Sequence, residues 1–201
     1  MHHVKPRIQG VIPALLDLYH DINASTIGHL TDFGFVRGLQ PLFRPIRVLG
    51  NAVTVRIPNT DGSVIRQALL LSQPQDVLVI EMPGDDQRAC WGELRTRAAL
   101  TKKLSGVVIS GGVTDVRAVT ELGFPVFSKS ISALTTRSLN LGGEVNIPVS
   151  VGGVCVHPGD LVVGDDDGLF ILTPQQAMEL GQLASDKQRE DQQQRSKLSA
   201  A

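Results

Sequence analysis

The sequence predicts an α/β fold in one domain, with a β-rich second half and a protruding C-terminal helix, on three observations. Between Asn51 and Lys129, short runs dense in Val and Ile alternate with segments of helical spacing. From Gly143 to Pro174 the chain is almost all strand and turn. From Gln175 to about Leu198 it reads as a helix that grows steadily more charged and Gln-rich, so its far half lacks an apolar face for its own chain. The rhythm runs without a linker through all 201 residues, which predicts one domain over 1–201.

Taken in order, the N-terminal stretch carries Pro13 and Asp17, which break its apolar run well short of a signal sequence, and no later segment approaches membrane-spanning length. His2 and His3 read as a mobile pair at a free end. The runs NAVTVRI (Asn51 to Ile57) and DVLVIEM (Asp76 to Met82) suit buried strands, with a helix in SVIRQALLLS between them. A helix follows in GELRTRAALTKKL with Glu93 in its first turn, then a strand in GVVIS, a helix from about Asp115 and a strand in PVFSK. In the later half, Gly152-Gly153, Pro158-Gly159 and Asp167-Gly168 mark the corners of antiparallel strands.

Composition narrows the function. With 42% apolar residues, 19% charged residues and a formal net charge of -1, neither a disordered chain nor a strongly basic nucleic-acid surface is expected. Aromatics are only 4%, and no basic stripe runs between them. No nucleic-acid or membrane partner is therefore expected. A small molecule or a protein fits better. Cys90 and Cys155 have no metal-site spacing and read as buried, reduced thiols, which places the protein in the cytoplasm.

The stretch VVISGGVTDVRAV (Val107 to Val119) reads as strand, double-glycine turn and helix start, with Asp115 at the carboxyl edge where α/β folds place ligands. Gly111 and Gly112 would let backbone approach a bound molecule. Asp115 either faces that crevice or caps its helix, and periodicity does not separate the two. Glu93 is a second carboxylate at another helix start, after Gly92, where free N–H groups would hold an anion or where Glu93 complements the helix dipole. Two carboxylates on one crevice suit Mg²⁺ or Mn²⁺. The run GDDDG (Gly164 to Gly168) lacks calcium-loop spacing and reads as a structural turn.

Six blocks in order, IRVLGNAVTVRI, PQDVLVIEMPGDDQRACWGEL, KLSGVVISGGVTDVRAV, FPVFSKSIS, VNIPVSVGGVCVHPGDLVVGDDDG and the charged C-terminal helix, resemble the family of 4-hydroxy-4-methyl-2-oxoglutarate aldolases and regulators of ribonuclease E activity A. The resemblance covers about Ile12 to Leu198. It implies a swivelling β/β/α-type domain assembled as a homo-trimer or hexamer with sites between subunits. It also implies metal-dependent release of pyruvate from 4-hydroxy-2-oxo acids and decarboxylation of oxaloacetate, both through a pyruvate enolate stabilised by the cation. The family's regulator branch implies an alternative, a non-catalytic oligomer that binds a protein.

The family signature is an acid, twenty residues, then Arg-Asp; here Glu93 leads after twenty residues to Thr114-Asp115. The resemblance thus implies Glu93, Thr114 and Asp115 as catalytic positions and a weakly held Mg²⁺ or Mn²⁺ on Asp115 and, through water, Glu93. Glu190 or Asp191 of a neighbouring subunit would add an acid. Gly92, Glu93, Leu94, Arg95, Arg97, Gly111 and Gly112 would hold a small 2-oxo acid such as pyruvate or oxaloacetate. Two positions depart from the pattern: Thr114 stands where the family has arginine, and Ser110 stands where an acid is common. A threonine offers one neutral hydroxyl where arginine offers a charged fork. Arg95 or Arg97 would supply a replacement cation, or both are solvated surface arginines.

Overall fold

The computed structural model describes residues 1–58, 60–84 and 87–199. Its strands are β1 (His3–Val4), β2 (Gln40–Pro41), β3 (Arg47–Arg56), β4 (Asp76–Glu81), β5 (Ala89–Trp91), β6 (Gly106–Val113), β7 (Val126–Ile131), β8 (Glu144–Val145), β9 (Val149–Val151), β10 (Val154–Val156), β11 (Leu161–Asp165) and β12 (Gly168–Leu172). Its helices are α1 (Pro13–Tyr19), α2 (Ala24–Gly28), α3 (Ile65–Leu71), α4 (Glu93–Thr101), α5 (Val116–Glu121) and α6 (Pro174–Ser199).

Strands β3, β4, β6 and β7 lie side by side and parallel, as continuous Val/Ile runs predict when helices or hairpins cover both faces. Strand β3 is longer than its apolar core suggests because it serves two partners on its outer edge. Residues Arg47 to Asn51 pair antiparallel with β11, and Val55 and Arg56 pair with β8. The β11–β12 hairpin extends the sheet as the Gly and Pro corners predict. Helices α3, α4 and α5 pack Ile65, Ala99 and Val119 against one face, over Leu78, Ile80, Val107 and Ile109. The β9–β10 hairpin covers the other with Val149, Val151 and Val156. Sheet and hairpins form one mixed α/β domain that ends in the long helix.

A third cluster joins α1, α2 and the first half of α6 to β11 and β12. Gly181 sits where α1 crosses α6; a Cβ there would lie 2.5 Å from Leu18 Cδ2. The Tyr19 hydroxyl donates to the Ala177 carbonyl at 2.9 Å, and burial pushes its pKa up to about 12. From Gln192 to Ser199 every residue of α6 is exposed, as its Gln-rich and charged composition predicts.

The N-terminus differs from the sequence expectation. His3 and Val4 form a strand beside β8, and His2 hydrogen-bonds Ser63 at 2.9 Å, so this end is seated rather than mobile. The seat continues inward. Arg7 donates two hydrogen bonds, of 2.7 and 2.6 Å, to the buried Asp76 carboxylate, and Asn51 takes the Ile8 carbonyl and the Gly10 N–H. The thiols also differ: Cys90 is buried, but Cys155 is exposed. No helix among the described residues is long and apolar enough to cross a membrane.

Candidate functional site

Strand β6 continues through Gly111 and Gly112 to Val113, so the double glycine lies inside a strand and not at a turn. Its ladder with β7 shifts register between Ile109 and Gly112, and the short strand β5, which the sequence pattern did not reveal, pairs with its end. Neither glycine makes room for a ligand. A Cβ on Gly111 would meet Met82 Sδ at 2.4 Å, and one on Gly112 would meet the Arg88 carbonyl oxygen at 3.2 Å. Their smallness serves packing. Ser110 is also engaged by the chain, its Oγ accepting the Met82 N–H at 2.8 Å and tying the end of β4 to β6.

Past Val113 the Thr114 N–H donates to the Trp91 carbonyl at 2.9 Å, which fixes this lip against β5. Asp115 then takes the left-handed conformation, φ 54° and ψ 37°, which Asp tolerates better than most residues. Its side chain does not cap α5, the helix it precedes. Instead Oδ2 accepts the Glu93 N–H at 3.0 Å and so closes the N-terminus of α4. One of the N–H groups expected to hold a substrate anion is thereby taken by the chain's own carboxylate. Gly92, expected to allow a sharp turn, is extended, with φ -165°. Glycine is required there because a Cβ would lie 2.4 Å from Asp115 Oδ2 and 2.8 Å from Thr114 Cγ2.

The two arginines of α4 part ways. Arg97 is exposed and donates to the Glu93 carboxylate at 2.8 Å, so this pair lies on the outer face as an i,i+4 ion pair. Glu93 therefore presents its backbone, not a free carboxylate, to Asp115. Arg95, one residue past Leu94, is no solvated arginine: its guanidinium is partly buried and donates to the Cys90 and Gly62 carbonyls. Burial lowers its pKa, against the attraction of Cys90 and Asp61.

Trp91, Gly92, Leu94, Arg95, Thr114 and Asp115 line one crevice of about 160 Å³, together with Thr135 and Thr136. Arg97, Gly111, Gly112, Glu190 and Asp191 do not line it. Glu190 and Asp191 lie on α6, where Asp191 pairs with Lys187 at 2.6 Å. The acidic run is structural: Asp165 accepts the Ala24 N–H at 2.7 Å, and Asp166 accepts the Ile46 N–H at 2.6 Å.

Asp61 organises the crevice's neighbourhood and was not singled out from the sequence, although Asp-Gly-Ser is a turn signature. Its buried carboxylate accepts the Ser63 N–H and hydroxyl and the N–H groups of Leu139 and Leu141, at 2.6 to 3.1 Å. Burial raises its pKa, but these four bonds outweigh it and hold the group at about 2. The folded pKa lies below the unfolded one, so the stabilisation is present above about pH 4 and fades as pH falls towards 2. Melting curves of wild type and Asp61→Asn are expected to differ most at neutral pH and to converge as pH falls through that window.

Among the described residues no three His, Cys, Asp or Glu side chains are grouped to enclose a metal ion. One carboxylate, Asp115, stands at the crevice, with Thr114 next to it in the lining. That set fits a hard dication of the Mg²⁺ type, which keeps most of its water and needs only one or two carboxylates.

An acid at the carboxyl edge of a central parallel strand stands where α/β folds place their ligand sites. The model of the RraA-like family, described as Aldolase/RraA, matches residues 15–171, and the chain belongs to that family. Relatives agree. The chain is 35% identical over 153 residues, 76% of its length and 72% of the relative's, to a Halalkalibacterium halodurans protein provisionally named 4-hydroxy-4-methyl-2-oxoglutarate aldolase. It is 32% identical over 127 residues, 63% of its length and 76% of the relative's, to the 4-hydroxy-4-methyl-2-oxoglutarate aldolase of Thermus thermophilus. Among solved structures, Streptomyces coelicolor RraAS2, described as an unusual member of the RNase ES inhibitor RraA family, superposes with a TM-score of 0.82 at 27% identity, covering 94% of this chain and 98% of that one.

Proposed function

We propose that this chain is a pyruvate-forming lyase acting on 4-hydroxy-2-oxo acids and oxaloacetate, with a site weakened by Thr114. The observation that carries the reading is Asp115, held in a left-handed backbone so that its carboxylate meets the N-terminus of α4 at the lip of the crevice. A divalent ion on Asp115 would polarise the 2-oxo group and offset the negative charge that develops as the carbon–carbon bond breaks. The chain's own part is orientation. The Asp115 and Thr114 lip is fixed by the Glu93 and Trp91 backbone, and Leu94 and the Trp91–Gly92 segment wall the substrate in. Helix geometry leaves further N–H groups at the start of α4, at Leu94 and Arg95, directed to the same end.

Thr114 gives the 2-oxo acid a neutral hydroxyl in place of a guanidinium, so turnover is low. Thr114→Arg is expected to raise pyruvate release by roughly ten- to a thousandfold, equivalent to about 1.4–4 kcal/mol of transition-state stabilisation. A coupled pyruvate assay with 4-hydroxy-4-methyl-2-oxoglutarate and oxaloacetate, with and without Mg²⁺, tests this. Absence of turnover in both forms would instead favour the second reading, a protein-binding regulator, for which the RraAS2 likeness speaks.

The proposal includes assembly as a homo-trimer or hexamer in the cytoplasm. Its support is the exposed end of α6 and the exposed apolar side chains near the crevice: Leu94 is 82% and Leu134 51% exposed. In the assembly, Glu190 or Asp191 of one copy would bring its acid to the crevice of the next. Sedimentation equilibrium at micromolar concentration is expected to give three or six chains per particle; a monomer would remove this part of the proposal.

A further inference from the structure

Arg95 and Asp115 are the two charged residues among the described residues that line the crevice, Arg95 from the first turn of α4 and Asp115 from the lip past β6. Arg95 is the unusual member. Its guanidinium is withdrawn from solvent, yet it makes no ion pair within 4 Å among the described residues and is held by two neutral carbonyls, those of Cys90 and Gly62. The acid that acts on it at a distance, Asp61, has its carboxylate engaged by four other donors. Partly buried charges are normally paired with a counter-charge, and among the described residues no carboxylate lies within 4 Å of this one.

The cradle is specific to this arrangement. Gly62 has no side chain because a Cβ would lie 2.6 Å from Thr136 Oγ1 and 2.7 Å from Arg95 Nη2. Asp61 fixes the turn that carries Gly62, and so sets where the guanidinium stops. Two of the five guanidinium N–H donors meet these carbonyls, which leaves capacity for an oxyanion. Arg97 does not line the crevice, being turned outward onto Glu93.

We infer that Arg95 is the residue that holds the substrate's carboxylate in this chain, from the α4 wall of the crevice, in the absence of a cation at position 114. The inference rests on the lyase reading and names the anion-binding residue of that site. It leaves the charge developing on the 2-oxo oxygen without a guanidinium, which is why arginine at 114 is still expected to add activity.

The test uses the full-length assembled protein and oxalate, a planar dianion that mimics the enolate of pyruvate, with calorimetric titration in the presence and absence of Mg²⁺. Arg95→Gln keeps an amide that can reach one carbonyl but removes the charge, and Arg95→Lys keeps the charge without the fork. Oxalate affinity is expected to fall roughly ten- to a hundredfold in Arg95→Gln and less in Arg95→Lys, with KM for oxaloacetate rising more than kcat falls. Thr114→Arg is expected to raise oxalate affinity more in the Arg95→Gln background than in the wild-type background, a non-additivity that a merely structural role for Arg95 would not give. Wild type that turns over oxaloacetate while both Arg95 variants bind oxalate unchanged would overturn the inference and leave the lyase reading standing. Wild type with neither oxalate binding nor pyruvate release would remove both.

Discussion

Asp115→Asn is expected to abolish most pyruvate release and to weaken Mn²⁺ binding while leaving the fold intact. Asparagine shares the tolerance of aspartate for the left-handed backbone at φ 54°, and its amide oxygen still accepts the Glu93 N–H. What it loses is the charge. A hard dication binds carboxylate oxygen far better than amide oxygen, and a misplaced or absent cation leaves the developing negative charge unstabilised, a loss of roughly 3–4 kcal/mol or about 10²–10³ in rate. Asp115→Ala is the less informative variant, because alanine strains the left-handed turn and frees the Glu93 N–H at the same time. Calorimetric Mn²⁺ titration alongside the pyruvate assay checks this; unchanged Mn²⁺ affinity in Asp115→Asn would move the metal elsewhere.

Asp76→Ala is expected to cost about 3–5 kcal/mol of stability, because it strands the Arg7 guanidinium and the Gln73 N–H around a position with no exposed surface. For a domain near 200 residues that corresponds to a fall in Tm of about 10 °C. The N-terminal segment as far as Gly10 is hung on the same point through Asn51, so its release should accompany the loss. Replacing both partners by apolar residues, Arg7→Met with Asp76→Leu, is expected to recover the part of the loss that comes from the lone buried charge, while the Gln73 N–H and the Asn51 amide stay without their acceptor. Thermal melts of the single and double variants, with amide exchange over residues 3–11, measure both effects.

The sequence alone determined the α/β class, the order of the parallel strands' Val/Ile runs, the antiparallel second half and the exposed end of the last helix. These follow from periodicity and apolar density, which are local properties of the chain. It also brought Glu93 and Asp115 forward, since each lies at an element boundary that can be read locally, and Thr114 through the resemblance to the family signature. What each side chain does there was decided by tertiary structure. Whether Asp115 faces the crevice or caps α5 is not legible locally; the fold decides it by bringing Glu93, twenty-two positions earlier, to its carboxylate. Gly111 and Gly112 read as a turn until β5 and Met82 close over them. Arg97 faces outward onto Glu93, four residues before it, as helical spacing allows, but nothing in the spacing shows that Arg95 is drawn under the Gly62 turn. Asp61 and Asp76 carry no periodic signal, because their partners lie at residues 139 and 141 and at residue 7. Hydrogen bonds across such separations depend on where the sheet places its strand ends, and that geometry is set by the packing of the whole domain.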